Sequence, residues 1–333
     1  MSAAPPAPKI EAMPLGRKLR YWLETAGFFL IIGFFRLFSI DRASAIGGWI
    51  GRKLVAPTGL SRRAVENLTA AFPEKSEAEI AAILDGMWDN LGRVMGEYAH
   101  LDNIHWAGAS PRIEIEGHEH YEAAKARGKG IIFISGHFAN WETMPIAARE
   151  RGIQGGQVYR PTNNPYVNRW LYKLRTRNGL PEMISKGAAG TRRIFTILRK
   201  GDSILMMVDQ RASEGIPAPF FGRDVMTTPV PAALALKLGA VILPVSNERI
   251  GGARFRIRAY PVIETPNTGD PDRDLLECTE AINAFIEQCV RAQPSQWLWI
   301  HKRWDAKGAP LRKRAQALAP MRGGANNAAS KRV

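Results

Sequence analysis

The sequence predicts an α/β fold, a mostly parallel or mixed central sheet flanked by helices, with an amino-terminal membrane-associated helix. Three observations lead there. Strand-like runs alternate with helix-like ones through the body of the chain, the pattern of a sheet covered on both faces. One run, Ile131-Ile132-Phe133-Ile134-Ser135, is apolar without interruption, as a strand buried on both sides must be. An apolar, aromatic-rich segment with basic flanks precedes them all. The 333 residues divide into a disordered leader at 1–15, the membrane-associated helix at 16–40, a main domain at 41–305 and a basic disordered tail at 306–333.

In the amino-terminal segment, Thr25 to Phe35 is uncharged for eleven residues, short of the roughly 20 that span a bilayer. Arg17, Lys18 and Arg20 precede it; Arg36, Arg42, Arg52 and Lys53 follow. No small-residue cleavage site follows the apolar run, so a signal peptide is not indicated. The segment is either an interfacial helix, with rings at the acyl boundary and basic residues on lipid phosphates, or a buried core helix. Four Phe between basic flanks favour the membrane.

Along the body, 41–56 and 62–71 read as helices, and 76–100 as a long amphipathic one with Ile80, Ile83, Leu84, Trp88, Leu91 and Met95 at helical spacing. Residues 112–116 alternate like a strand, and 119–126 form a helix ahead of the apolar strand 131–135. A helix at 144–149 follows, then helix 168–177, strand 183–185, helix 191–199 and strand 204–208. Helix 231–238, strands 241–245 and 254–259, and helix 275–291 complete the order.

Charge and composition bound the function. Lys and Arg number 46 against 31 Asp and Glu, a net charge of +15, which asks for an anionic partner. Hydrophobic residues at 45% and nine Trp exclude a disordered basic protein of the histone kind. Cys278 and Cys289, eleven apart in a helix-like stretch, lie about 16 Å apart along its axis, too far to bridge. They read as two small buried apolar residues. The tail carries seven basic and no acidic residues after Asp305, a composition for staying soluble or for loose contact with anions.

Active residues of such sheets gather at the carboxyl ends of strands. The strand 131–135 ends in Gly136-His137-Phe138-Ala139-Asn140-Trp141-Glu142. If the turn wraps back, the Glu142 carboxylate accepts the imidazole Nδ1–H of His137 and leaves Nε2 as a base for an alcohol. Otherwise His137 is a turn residue and Glu142 a first-turn charge favoured by the helix dipole. Further carboxylates or His at ligand spacing are missing, which gives no support to a metal. Neither a nucleophile elbow, a P-loop nor G-x-G-x-x-G occurs, so a cofactor-free direct transfer fits.

Gly128-Lys129-Gly130, the apolar strand and Ser135-Gly136-His137-Phe138-Ala139-Asn140-Trp141-Glu142 resemble the H-x4-D/E block of glycerolipid acyltransferases. More specifically, the chain resembles the bacterial lipid A late acyltransferases. The resemblance runs on through Tyr159-Arg160-Pro161, Asn163-Asn164-Pro165, Asp209-Gln210, Pro219-Phe220-Phe221-Gly222, Thr227-Thr228-Pro229 and Pro244. It ends in Gln296-Trp297-Leu298-Trp299-Ile300-His301-Lys302-Arg303-Trp304, so the ordered blocks span roughly residues 15–305.

The resemblance implies transfer of a fatty acyl chain from acyl carrier protein to a hydroxyl of the Kdo-bearing lipid A precursor. It implies a place on the cytoplasmic face of the inner membrane, with membrane lipids as neighbours and nucleic acid excluded as a main partner. His137 takes the hydroxyl proton, Glu142 steadies the imidazolium, and Arg160 answers the oxyanion or is an ordinary surface or phosphate-binding Arg. Asp209 and Gln210 bind a sugar hydroxyl or steady Arg160, unless Asp209 caps its turn. Asn140 and Asn164 hold their turns or touch the acceptor, and Arg175 and Arg303 match lipid phosphates. His301 reads as structural, and Trp297, Trp299 and Trp304 as packing. Another glycolipid or a lysophospholipid acceptor is the alternative, and a non-catalytic membrane- or nucleic-acid-binding protein the reading from another class.

Overall fold

The computed structural model describes residues 13–304. The leader up to residue 12 and the tail expected at 306–333 lie outside the described residues. Four helices open the chain: α1 (Leu15–Arg36), α2 (Ile40–Ile50), α3 (Ser61–Ala71) and α4 (Glu77–Glu97). Helix α4 starts at a capping box: the Ser76 hydroxyl accepts from the Glu79 N–H, and the Glu79 carboxylate accepts from the Ser76 N–H at 2.9 Å. It crosses α2 at backbone contact distance. A Cβ on Gly47 would collide with the carbonyl of Gly92, and one on Gly92 with that of Gly47, so only glycine permits the crossing.

The sheet then builds around β1 (Ile113–Glu116), β2 (Ile131–Ser135), β3 (Gly155–Tyr159), β4 (Glu182–Ser185), β5 (Ser203–Met207), β8 (Val241–Gly251) and β9 (Arg254–Ala259), in the order β1-β9-β8-β2-β5-β3-β4. Between β5 and β8, β6 (Ile216–Phe220) and β7 (Arg223–Thr227) form a separate antiparallel hairpin. Strands β8, β2, β5, β3 and β4 run parallel. The tight turn after β8, with Gly251 and Gly252 at positive φ, sends β9 back antiparallel, and β1 pairs parallel with β9. The fold is therefore α/β with a mostly parallel, mixed sheet flanked by helices, as the alternation predicts.

Strand β2 shows why its sequence is wholly apolar. Ile132 and Ile134 face a core built with α3, α4, α8 (Ala188–Arg199), α9 (Val230–Leu238) and α10 (Pro271–Ala292). Ile131 and Phe133 face a second core with the amino-terminal helices, α5 (His118–Ala126), α6 (Thr143–Glu150) and α7 (Pro165–Asn178). Cys278 and Cys289 are buried and free in the first core.

Helix α1 is neither a core helix nor a spanning one. Ile32 and Phe35 are buried, and Phe28 and Phe29 set their edges against Trp170 of α7 at 5.2 and 5.9 Å. Leu19, Leu23 and Leu30 of the opposite stripe stand 61%, 66% and 73% exposed. Among the described residues, no helix is long and apolar enough to cross a membrane.

Candidate active site

Parallel pairing of β2 with β5 aligns Ser135 with Met207. Two residues further along each strand, the same register brings His137 level with Asp209. The His137 backbone N–H donates to Asp209 Oδ2 at 2.8 Å, and ring Nδ1 lies 2.8 Å from Oδ1. Trp297 Nε1 donates to Oδ2, also at 2.8 Å. Gly136 makes this approach possible, because a Cβ there would meet the Phe138 ring and the Asp209 carboxyl carbon. Asp209 is wholly buried. Burial alone would raise its carboxyl, but the charge of His137 and hydrogen bonds from its ring and backbone hold it far below the usual carboxylate range. An ionised Asp209 accepts only, so in the neutral imidazole Nδ1 carries the proton and Nε2 the lone pair.

This corrects the expected His137–Glu142 dyad. Glu142 is the residue before the first turn of α6, and its buried carboxylate turns away to Tyr98, just past the end of α4, and to α7. Oε1 accepts from the Tyr98 hydroxyl at 2.6 Å, and Arg175 reaches it with Nε at 3.0 Å and Nη2 at 2.5 Å. Burial raises the Glu142 carboxyl, but the Arg175 charge beside it wins and lowers it. Separation by five residues does not face His137 and Glu142 when the intervening Ala139 takes a left-handed φ of 47°.

The other expected residues sort by burial. Asn140 is a brace: its Nδ2 donates to Glu97 Oε2 at 2.9 Å, and its Oδ1 accepts from the Glu142 N–H at 3.2 Å. Asn164 caps α7 through the N–H groups of Tyr166 and Val167 and ties α1 by donating to the Tyr21 carbonyl at 2.9 Å. Both thus hold their turns. Arg175 is spent on Glu142, which corrects its expected role at a phosphate. Arg303, 1% exposed, is likewise corrected. Its guanidinium donates to the Gln210 carbonyl at 3.1 Å, to Thr227 Oγ1 at 3.2 Å and to Asn283 Oδ1 at 3.0 Å. Arg160 stands exposed just past the end of β3, on the same carboxyl edge as His137. Asp209 binds the imidazole and not Arg160.

Two aromatic rings border His137: that of His301, expected to be structural, and that of Trp141. The His301 ring lies 5.4 Å from that of His137, and the Trp141 ring 5.2 Å. Gln210 Nε2 stands 2.8 Å from His301 Nε2 and 3.4 Å from His137 Nε2. Burial, then the charge of His137, pushes the His301 imidazole down to about 4 from 6.5, against the pull of Asp209. A depressed imidazole binds fewer protons folded than unfolded, so its contribution to stability is present above 6.5 and is lost as the pH falls towards 4. We expect His301→Phe to flatten the fall of the unfolding midpoint over that window, as read by thermal melts at stepped pH. Among the described residues, no group of three or more His, Cys, Asp or Glu is placed to hold a metal ion.

Fold and site together place an imidazole, its Nδ1 held by a buried carboxylate, at the carboxyl edge of the parallel strands of an α/β protein. The family model described as bacterial lipid A biosynthesis acyltransferase matches residues 11–306. The chain belongs to that family and is an acyltransferase. It is 29% identical over 294 residues to a lipid A biosynthesis acyltransferase of Haemophilus influenzae, covering 85% of this chain and 87% of that one. It is 29% identical over 260 residues to the lipid A biosynthesis lauroyltransferase of Escherichia coli, covering 74% and 80%. A phosphatidylinositol mannoside acyltransferase of Mycobacterium tuberculosis is 23% identical over 238 residues, covering 68% and 73%.

Proposed function

We propose that the protein transfers a fatty acyl chain from acyl carrier protein to a hydroxyl of the Kdo-bearing lipid A precursor, at the cytoplasmic face of the inner membrane. The observation that carries the reading is the His137 imidazole, whose Nδ1 is held by buried Asp209 and whose Nε2 is left as a base. His137 takes the acceptor proton as the hydroxyl oxygen attacks the thioester carbonyl. A C–O bond forms, and the carbonyl π pair moves onto oxygen. Collapse breaks the C–S bond, and the departing thiolate takes the proton from Nε2. Ester and free thiol result, without a covalent enzyme intermediate. Arg160 supplies positive charge to the oxyanion or the anionic substrates from the rim. The net charge of +15 suits an anionic lipid surface, a phosphorylated acceptor and an acidic carrier.

Helix α1 would lie in the interface, its exposed Leu19, Leu23, Leu30 and Ile31 in the acyl boundary. Burying a Leu is worth about 1.5–3 kcal/mol, so the double change Leu23→Glu, Leu30→Glu should weaken binding to anionic vesicles by at least about 100-fold. Flotation that is unchanged by it would remove the helix from the membrane.

The similarity to a mannoside acyltransferase favours one second reading, a different glycolipid acceptor. Mass spectrometry of lipid A from cells with and without the protein decides between them. Loss of one acyl chain supports the lipid A precursor, and an unchanged pattern supports the other acceptor.

A further inference from the structure

We infer that Gln210 is a second catalytic residue, its carboxamide donating a hydrogen bond to the thioester oxyanion, and that His301 is the positioning residue that aims it. The inference rests on the proposed acyl transfer and adds to it the group that meets the developing charge at the base itself.

Gln210 directly follows Asp209, so the strand that fixes the tautomer of His137 also delivers the amide. With Nδ1–H given to Asp209, His137 presents a lone pair at Nε2. Gln210 Nε2 faces that lone pair at 3.4 Å and the His301 Nε2 at 2.8 Å. Nitrogen must be the atom placed there, because a carbonyl oxygen would set its own lone pairs against the imidazole's. His301 then accepts at Nε2, and its burial keeps the ring neutral and able to accept.

Gln210 is held at its backbone as well as at its side chain. Arg303, itself bonded to Thr227 and Asn283, donates to the Gln210 backbone carbonyl at 3.1 Å. One side-chain N–H is taken by His301. The other points into the space before His137 Nε2, and 3.4 Å is long for a bond to nitrogen. That hydrogen is therefore available to an oxygen arriving where the hydroxyl and the thioester carbon meet. Attack moves the carbonyl π pair onto oxygen beside this N–H, whose bond tightens as charge accumulates and relaxes when the C–S bond breaks. A neutral donor does this without adding a charge that would oppose protonation of His137. The segment after α10 thus serves the site three times, with Trp297 on Asp209, His301 on the Gln210 amide and Arg303 on its backbone.

The test is steady-state acyl transfer by the full chain, with acyl carrier protein thioester and lipid A precursor each varied. Gln210→Met keeps the volume and removes the donor, so kcat should fall about 10²- to 10³-fold while each KM stays within about threefold. The pH profile of kcat/KM should not move, because His137 and Asp209 are untouched. Gln210→Glu, which turns an acceptor to the oxyanion, should fall at least as far. His301→Phe keeps a ring but no acceptor and should cost kcat about tenfold, and His301→Gln, whose amide oxygen accepts, should recover most of it. A kcat within about threefold of the parent in both Gln210 variants, or a loss seen only in KM, would overturn the assignment. His137→Ala assayed alongside separates the two levels. Turnover abolished there but intact in Gln210→Met rejects Gln210 alone, and turnover intact in His137→Ala rejects the mechanism on which the inference stands.

Discussion

Asp209→Asn should lower kcat about 10³- to 10⁴-fold in a protein that still folds. The carboxylate receives the His137 backbone N–H and the Trp297 indole on Oδ2 and the imidazole on Oδ1. Asparagine keeps one oxygen, and the two N–H donors on Oδ2 claim it. Its NH₂ then faces Nδ1 and forces the proton of a neutral imidazole onto Nε2, where the base must be empty. The side chain keeps its size and most of its bonds, so the loss falls on the chemistry. Rates of purified parent and variant, with melting curves recorded alongside, check it. A kcat within tenfold of the parent's would mean that Asp209 only braces the turn.

Glu142→Gln should do the opposite, costing stability of about 3–5 kcal/mol by leaving the buried Arg175 guanidinium without its counter-charge. The Tyr98 hydroxyl, with burial first and the Glu142 charge next raising its ionisation above the ordinary range, stays a donor and now meets a weaker acceptor. Per folded molecule, kcat should stay within about tenfold of the parent's. Urea titration with an unchanged slope reads the first effect. Unchanged stability with a collapsed kcat would return Glu142 to the imidazole.

How far the sequence could be read follows from which contacts are local. The unbroken apolar run of β2, the periodicity of α4 and the alternation of β1 are legible because each depends on neighbours in the chain. Strand β3 is hidden because it opens Gly155-Gly156, residues poor in strand propensity. Gly155 is held there because a Cβ would strike the Ser203 carbonyl on β5. The β6–β7 hairpin is hidden by Pro217 and Pro219, which fit only because its strands have no other partner.

In the site, His137 was legible from its place at a strand's carboxyl end, and Asp209 and Gln210 from theirs. Their pairing was not. It depends on β2 and β5 being neighbours in register, a fact carried by no local spacing. Glu142 was misplaced for the same reason, since Tyr98 and Arg175, its partners, come from 44 and 33 residues away. Arg303 looked like a phosphate ligand because a guanidinium gives no sign in the sequence of whether its fork meets solvent or Thr227 and Asn283. One signal for His301 was available: it shares a short segment with Trp297 and Arg303, and all three converge on the consecutive pair Asp209-Gln210.

His137 is proposed above as the base of an acyl transfer onto the lipid A precursor. The most direct test of that role is the initial rate of labelled acyl transfer from acyl carrier protein to that precursor by purified parent and folded His137→Ala protein. Product is expected with the parent, and a rate at least about 10³-fold lower with the variant. Product formed by His137→Ala at the parent's rate would contradict it.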